Sequence, residues 1–113
     1  MKVLVIVNES PWGGTLAATA LRLARRLLDG GHSIDAVFFR GDGVYNLLHG
    51  QGGEASDLSS EWSSMAAAAE FPLLLCSSAS ARRLDSTPDG RFRLAGLAEV
   101  LERMSGCDRV VTF

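Results

Sequence analysis

Val3-Leu4-Val5-Ile6-Val7 is a run of five apolar residues, four of them β-branched, near the start of a 113-residue chain. A run without polar alternation predicts a strand buried on both faces, the kind found inside parallel sheets. Parallel strands need a crossover between them, and the next segment reads as one. Asn8 to Gly14 is a turn, with Pro11 tolerated at a helix start. Leu16, Ala20, Leu23 and Leu27 then recur at the spacing of one helix face, with Arg22, Arg25, Arg26 and Asp29 off that stripe. Gly30-Gly31 provides the stop.

The same alternation continues. Ile34 to Phe39 predicts a second strand, and Arg40 to Ser56 a long, Gly-rich loop of the kind that is functional or mobile. Leu58, Trp62, Met65 and Ala69 form the next helical stripe, with Asp57 as its N-cap. Pro72 to Cys76 predicts a third strand, with Pro at its first position. Ser77 to Arg83 reads as a small-residue loop or short helix, and Ser86 to Gly90 as a turn. Leu94, Leu97, Ala98 and Leu101 repeat the helix spacing, and Cys107 to Phe113 closes the chain as a strand. This order predicts an α/β fold, a largely parallel sheet with helices on both faces, in a single domain over residues 1–113.

Composition narrows the class. With 47% hydrophobic and 21% charged residues the chain is too apolar for disorder, and its formal net charge of −2 argues against nucleic acid as a direct partner. Its apolar runs are far below a membrane span. Met1-Lys2 leads straight into the first strand, without the pattern of a secretion signal, so the expected location is the cytoplasm, with both cysteines reduced. Two cysteines make no disulfide framework, and His32 and His49 are too isolated to complete a metal site with Cys76. No metal or cofactor is expected.

Open parallel sheets gather ligands and chemistry outside the carboxyl ends of their strands. Three segments are placed there: Asn8–Gly14, Arg40–Ser56 and Cys76–Arg83. Asn8–Gly14 has two glycines before a helix but neither nucleotide-binding glycine pattern. Cys76 ends a strand just before Ser77 and Ser78, with Arg82 and Arg83 further on. Free backbone N–H groups and guanidinium groups both favour a thiolate. The plain alternative is a buried core cysteine. Cys107 falls at the opposite edge of the sheet, too far from Cys76 for a disulfide, and reads as a packing residue. Cys76 to Arg82 also has the Cys-x5-Arg spacing of cysteine phosphatase loops, though without a glycine to relax an anion-binding loop, and Asp89 would be its acid. Tyr45, Leu47 and Leu48 put apolar groups in the long loop, suited to a protein partner or to a self-packed loop.

Three segments resemble the DsrE/TusD family of small sulfur-relay proteins. Phe38-Phe39-Arg40-Gly41-Asp42-Gly43-Val44-Tyr45-Asn46 is similar to the family's FF-x-x-DGVYN element. The segment from Cys76 to Arg83 is similar to its C-x-A-A-A-x-R-R loop. Leu94-Ala95-Gly96-Leu97 together with Cys107-Asp108-Arg109-Val110-Val111-Thr112-Phe113 is similar to its GL…CDRVVxF ending, and Trp62 falls where the family has a Trp. The stretch from Arg83 to Phe92 is shorter than in sulfur-relay members, and His49-Gly50-Gln51-Gly52-Gly53 replaces a more polar run.

The resemblance implies a DsrE-like three-layer α/β/α sandwich with a mainly parallel five-stranded sheet. It implies that Cys76 carries sulfur as a persulfide, with Ser77, Ser78, Arg82 and Arg83 stabilising its thiolate. It further implies sulfur-donor and sulfur-acceptor proteins as partners, met at Asp42, Tyr45 and Asn46, and homo- or hetero-oligomers with related subunits, in pathways such as tRNA thiolation or sulfur oxidation. A Cys-x5-Arg phosphatase or arsenate reductase, and a non-catalytic interaction subunit, are the alternatives.

Overall fold

The apolar run becomes β1 (Lys2–Val7), and each residue from Val3 to Val7 is buried in the computed structural model, which describes residues 1–12, 14–48, 58–85 and 90–113. Burial on both faces follows from position. β1 pairs in parallel with β2 (Ser33–Phe39) on one side and with β5 (Arg109–Thr112) on the other. β3 (Leu73–Cys76) and β4 (Phe92–Ala95) extend the sheet beyond β2, giving the order β4-β3-β2-β1-β5, parallel throughout.

Side chains sort between two cores with the strand period of two. Val3, Val5, Val7, Val37, Phe39, Leu73 and Leu75 meet helices α1 (Leu16–Asp29), α2 (Leu58–Ala69) and α3 (Ser77–Arg83) on one face. Leu4, Ile6, Ala36, Phe38 and Leu74 meet α4 (Leu97–Ser105) through Val100 on the other. The opposite face follows from topology: α4 carries the chain from β4 at one edge across to β5 at the far edge. Burying each large aliphatic side chain contributes about 1.5–3 kcal/mol, so β1 and β2 anchor both layers.

Several sequence expectations need correction. The helix expected from Leu94 starts at Leu97, because Phe92–Ala95 pairs with β3 as a fifth strand and Phe92 packs 5.7 Å from Phe39, centroid to centroid. On α4 the buried residue is Val100, while Leu97 and Leu101 are 67% and 54% exposed. The core-facing side of α1 is Ala17, Ala20, Leu21 and Ala24, so Leu16 lies outside. On α2 the stripe keeps Leu58, Trp62 and Met65 but takes Ala66 in place of Ala69. The long loop opens with a 3₁₀ helix over Gly41–Leu47. Tyr45, Leu47 and Leu48 are half-buried there, and Leu47 packs against the core. Asp57, His49 and the Ser86–Asp89 part of the predicted turn lie outside the described residues.

Candidate functional site

Cys76 is the last residue of β3, and α3 begins at the next position. A strand that passes straight into a helix points the free N–H groups of the first helical turn back at its own end. The sulfur therefore meets the backbone N–H groups of Ser78 and Ala79, and the Ser78 hydroxyl lies 3.4 Å from it. Burial pushes the half-buried thiol up, but the Ser78 hydroxyl, these N–H groups and the Arg40 charge together hold it below its ordinary value. Cys107 shows the contrast. It lies between α4 and β5 at the amino-terminal edge, where burial first and the Asp35 carboxylate next push its thiol up. Only Cys76 has the environment of a reactive thiol.

The side chains around Cys76 divide the work differently from the sequence reading. Ser78 meets the sulfur, whereas the Ser77 hydroxyl donates to the Ala95 carbonyl at 3.0 Å and ties α3 to β4. Arg83 pairs through Nε with Asp42 at 2.9 Å, and Arg82 stands exposed on the outer side of α3. The charge that helps lower the thiol is that of Arg40. Helical rise carries Arg82 about 9 Å along the axis from Cys76. The same geometry removes support from the phosphatase reading, in which residues between cysteine and arginine would wrap an anion as an open loop. In this chain they form regular helix.

The Gly41–Leu47 segment organises the rest of the edge. Arg40 N–H donates to the Val7 carbonyl at 3.0 Å, and Gly43 passes so close to that carbonyl that a Cβ there would collide with it. Asn46 is 1% exposed and its Nδ2 donates to the Glu9 and Gly43 carbonyls, at 3.0 and 2.8 Å. Its side chain thus holds the β1 and β2 loops together. Tyr45 packs against Trp12 with ring centroids 5.3 Å apart and planes tilted by 38°, and Asp42 is 63% exposed, both on the side of the edge that α3 borders. Arg40 and Trp12 are the residues sequence reasoning missed. Arg40 was detectable as the first residue beyond a strand parallel to β3. Among the described residues no cluster of three or more His, Cys, Asp or Glu could hold a metal ion.

A family model, the DsrE/DsrF-like family, matches residues 1–113. This chain is a DsrE/DsrF-like protein. It is 34% identical over 128 positions to proteins named sulfurtransferase TusD from Salmonella newport and Salmonella arizonae, with all of each chain covered. The crystal structure of the ychN protein from E. coli superposes with a TM-score of 0.84 at 27% identity, covering 100% of this chain and 99% of that one. The aligned stretch is longer than the 113 residues of this DsrE-type chain, so the TusD relatives carry residues that it lacks. The five-stranded parallel sheet with helices on both faces is the fold that the likeness to ychN supports. No helix among the described residues is long and apolar enough to cross a membrane.

Proposed function

We propose that this chain is a sulfur-relay protein that accepts sulfur as a persulfide on Cys76 and passes it to the thiol of a partner protein. The observation that carries the reading is the half-buried Cys76 thiol, lowered by the Ser78 hydroxyl and the first N–H groups of α3, in a chain whose relatives are named sulfurtransferases. A thiolate at neutral pH is what the chemistry needs. The Cys76 thiolate attacks the outer sulfur of a donor persulfide. A bond forms between Sγ and that sulfur, the donor's S–S bond breaks, and the donor leaves as its thiolate. Loading produces no net oxidation or reduction. Attack by an acceptor thiolate on the carried sulfur reverses the roles and releases Cys76.

Donor and acceptor would dock over the rim formed by exposed Asp42 and Trp12 and half-buried Tyr45, with Asn46 fixing the rim from beneath. The pathway served is of the tRNA-thiolation or sulfur-oxidation type. The working compartment is the cytoplasm, where thiols stay reduced. Assembly with copies of itself or related subunits completes the reading, and exposed Leu97 and Leu101 support it. Incubation with a low-molecular-weight persulfide, followed by intact-mass measurement, tests the central step. Wild type and Cys107→Ser should each gain one sulfur atom, and Cys76→Ser none. No gain on wild type across a range of donors would remove the carrier role.

A further inference from the structure

We propose that Arg40 is the cationic partner of Cys76, holding its thiolate before sulfur transfer and the persulfide anion after it, the role that the sequence gives to Arg82 and Arg83. The inference deepens the relay reading, but its geometric basis is separate.

β2 and β3 run parallel, with Val37, Phe38 and Phe39 paired to Leu73, Leu74 and Leu75. One step further along both strands brings Arg40 level with Cys76. Arg40 is still extended, at φ −130° and ψ 165°, and its N–H is fixed to the Val7 carbonyl at 3.0 Å. The two residues therefore occupy equivalent places on adjacent strands, whose axes lie about 4.8 Å apart. Arg40 is exposed and forms no ion pair among the described residues.

The other charges on the surrounding elements are engaged or remote. Asp42 of the 3₁₀ segment is held by Arg83 of α3, which neutralises both. Arg93 of β4 donates two hydrogen bonds to Glu99 of α4, at 3.1 and 2.6 Å. Arg82 points outward from α3, and Glu9 is exposed beyond β1. Among the described residues Arg40 is thus the unneutralised charge on the neighbouring strand, and its charge adds to the hydrogen bonds that lower the thiol. An unpaired guanidinium near an anion in a high-dielectric setting contributes modestly and favours the thiolate.

The test uses the full chain carrying Cys107→Ser, so that one thiol reports. Alkylation by uncharged iodoacetamide is followed from pH 5 to pH 10, a range that brackets the ordinary thiol titration. Arg40→Gln should move the midpoint up by about half a unit and slow alkylation near neutral pH about threefold. Arg40→Lys should restore the wild-type curve, because only the charge matters. Arg82→Gln should leave it in place; Arg83 is kept intact, because its removal would free the Asp42 carboxylate. An unmoved midpoint in Arg40→Gln, or an equal shift in Arg82→Gln, overturns the proposal. Persulfide loading is read separately by mass, so a failed relay and a failed Arg40 assignment give different results.

Discussion

The Ser78 hydroxyl lies 3.4 Å from the sulfur of Cys76, two residues away, and is the strongest of the influences that lower this thiol. The contact exists because Cys76 occupies the N-cap position of α3 and Ser78 lies in the helix's first turn. Ser78→Ala removes one hydrogen bond to the thiolate and leaves the backbone N–H groups in place. The alkylation midpoint of Cys76 should rise, with the rate near neutral pH falling about two- to fivefold. Ser77→Ala, whose hydroxyl serves the Ala95 carbonyl, should leave the midpoint unchanged. Equal effects from the two variants would show that the helix end, not the Ser78 hydroxyl, sets the reactivity.

Gly43 is fixed by a backbone approach. A Cβ at this position would enter the Val7 carbonyl, which also accepts the Arg40 N–H. Gly43→Ala must therefore push the 3₁₀ segment away from β1, or break the hydrogen bond that holds Arg40 at the edge. Overpacking of this kind costs about 1–3 kcal/mol, readable as a lower midpoint in urea unfolding. Cys76 alkylation should slow as well, since Arg40 shifts with the segment. A variant within about 0.5 kcal/mol of wild type would mean that the segment has room to move.

The parts of the fold that were legible in sequence are those fixed by local pattern. The unbroken run Val3–Val7 announces a strand buried on two faces, and Leu58, Trp62 and Met65 announce a helix with one. Cys76 could be placed at the carboxyl edge because strand end and parallel sense are both readable. β4 was hidden because Phe92-Arg93-Leu94-Ala95 is no continuous apolar run and Leu94 fits the helix spacing of Leu97 and Leu101; it is a strand by virtue of pairing with Leu73–Cys76. The arginines, too, are placed by tertiary geometry. Nearness along the chain put Arg82 and Arg83 with Cys76, but helical rise takes them away and the register between β2 and β3 brings in Arg40.

Glu99 links layers through charge. Arg93 of β4 grips its carboxylate from one side and Arg103 of α4, which also reaches Asp35 of β2, from the other. The hydrogen bonds from Arg93 are the main cause that brings the Glu99 carboxyl from 4.5 down to about 2; burial opposes them, and Arg103 adds to the lowering. A depressed carboxyl stabilises the folded state above its unfolded value and loses that contribution as pH falls through the folded one. The Glu99 contribution should therefore be full above about pH 4.5 and vanish near pH 2. Glu99→Gln should be less stable than wild type at neutral pH, by at most about 1 kcal/mol because solvent screens the group. The two unfolding curves should converge in acid. A gap independent of pH would assign the loss to packing.

Leu97 and Leu101 stand one helical turn apart on α4, 67% and 54% exposed, while Val100 between them is buried. Val110 of β5, 39% exposed, pairs with Leu4, whose side chain belongs to the α4 core, so Val110 faces the same side of the sheet. Apolar groups gathered on one side of a small protein mark a surface that another chain covers. A second copy of this chain is the expected occupant, giving a mass above the monomer by light scattering. Replacing Leu97 and Leu101 together with Glu should lower that mass toward the monomer and leave the circular dichroism unchanged, because neither side chain is in the core. A wild-type chain that scatters as a monomer at micromolar concentration would assign this face to a different partner.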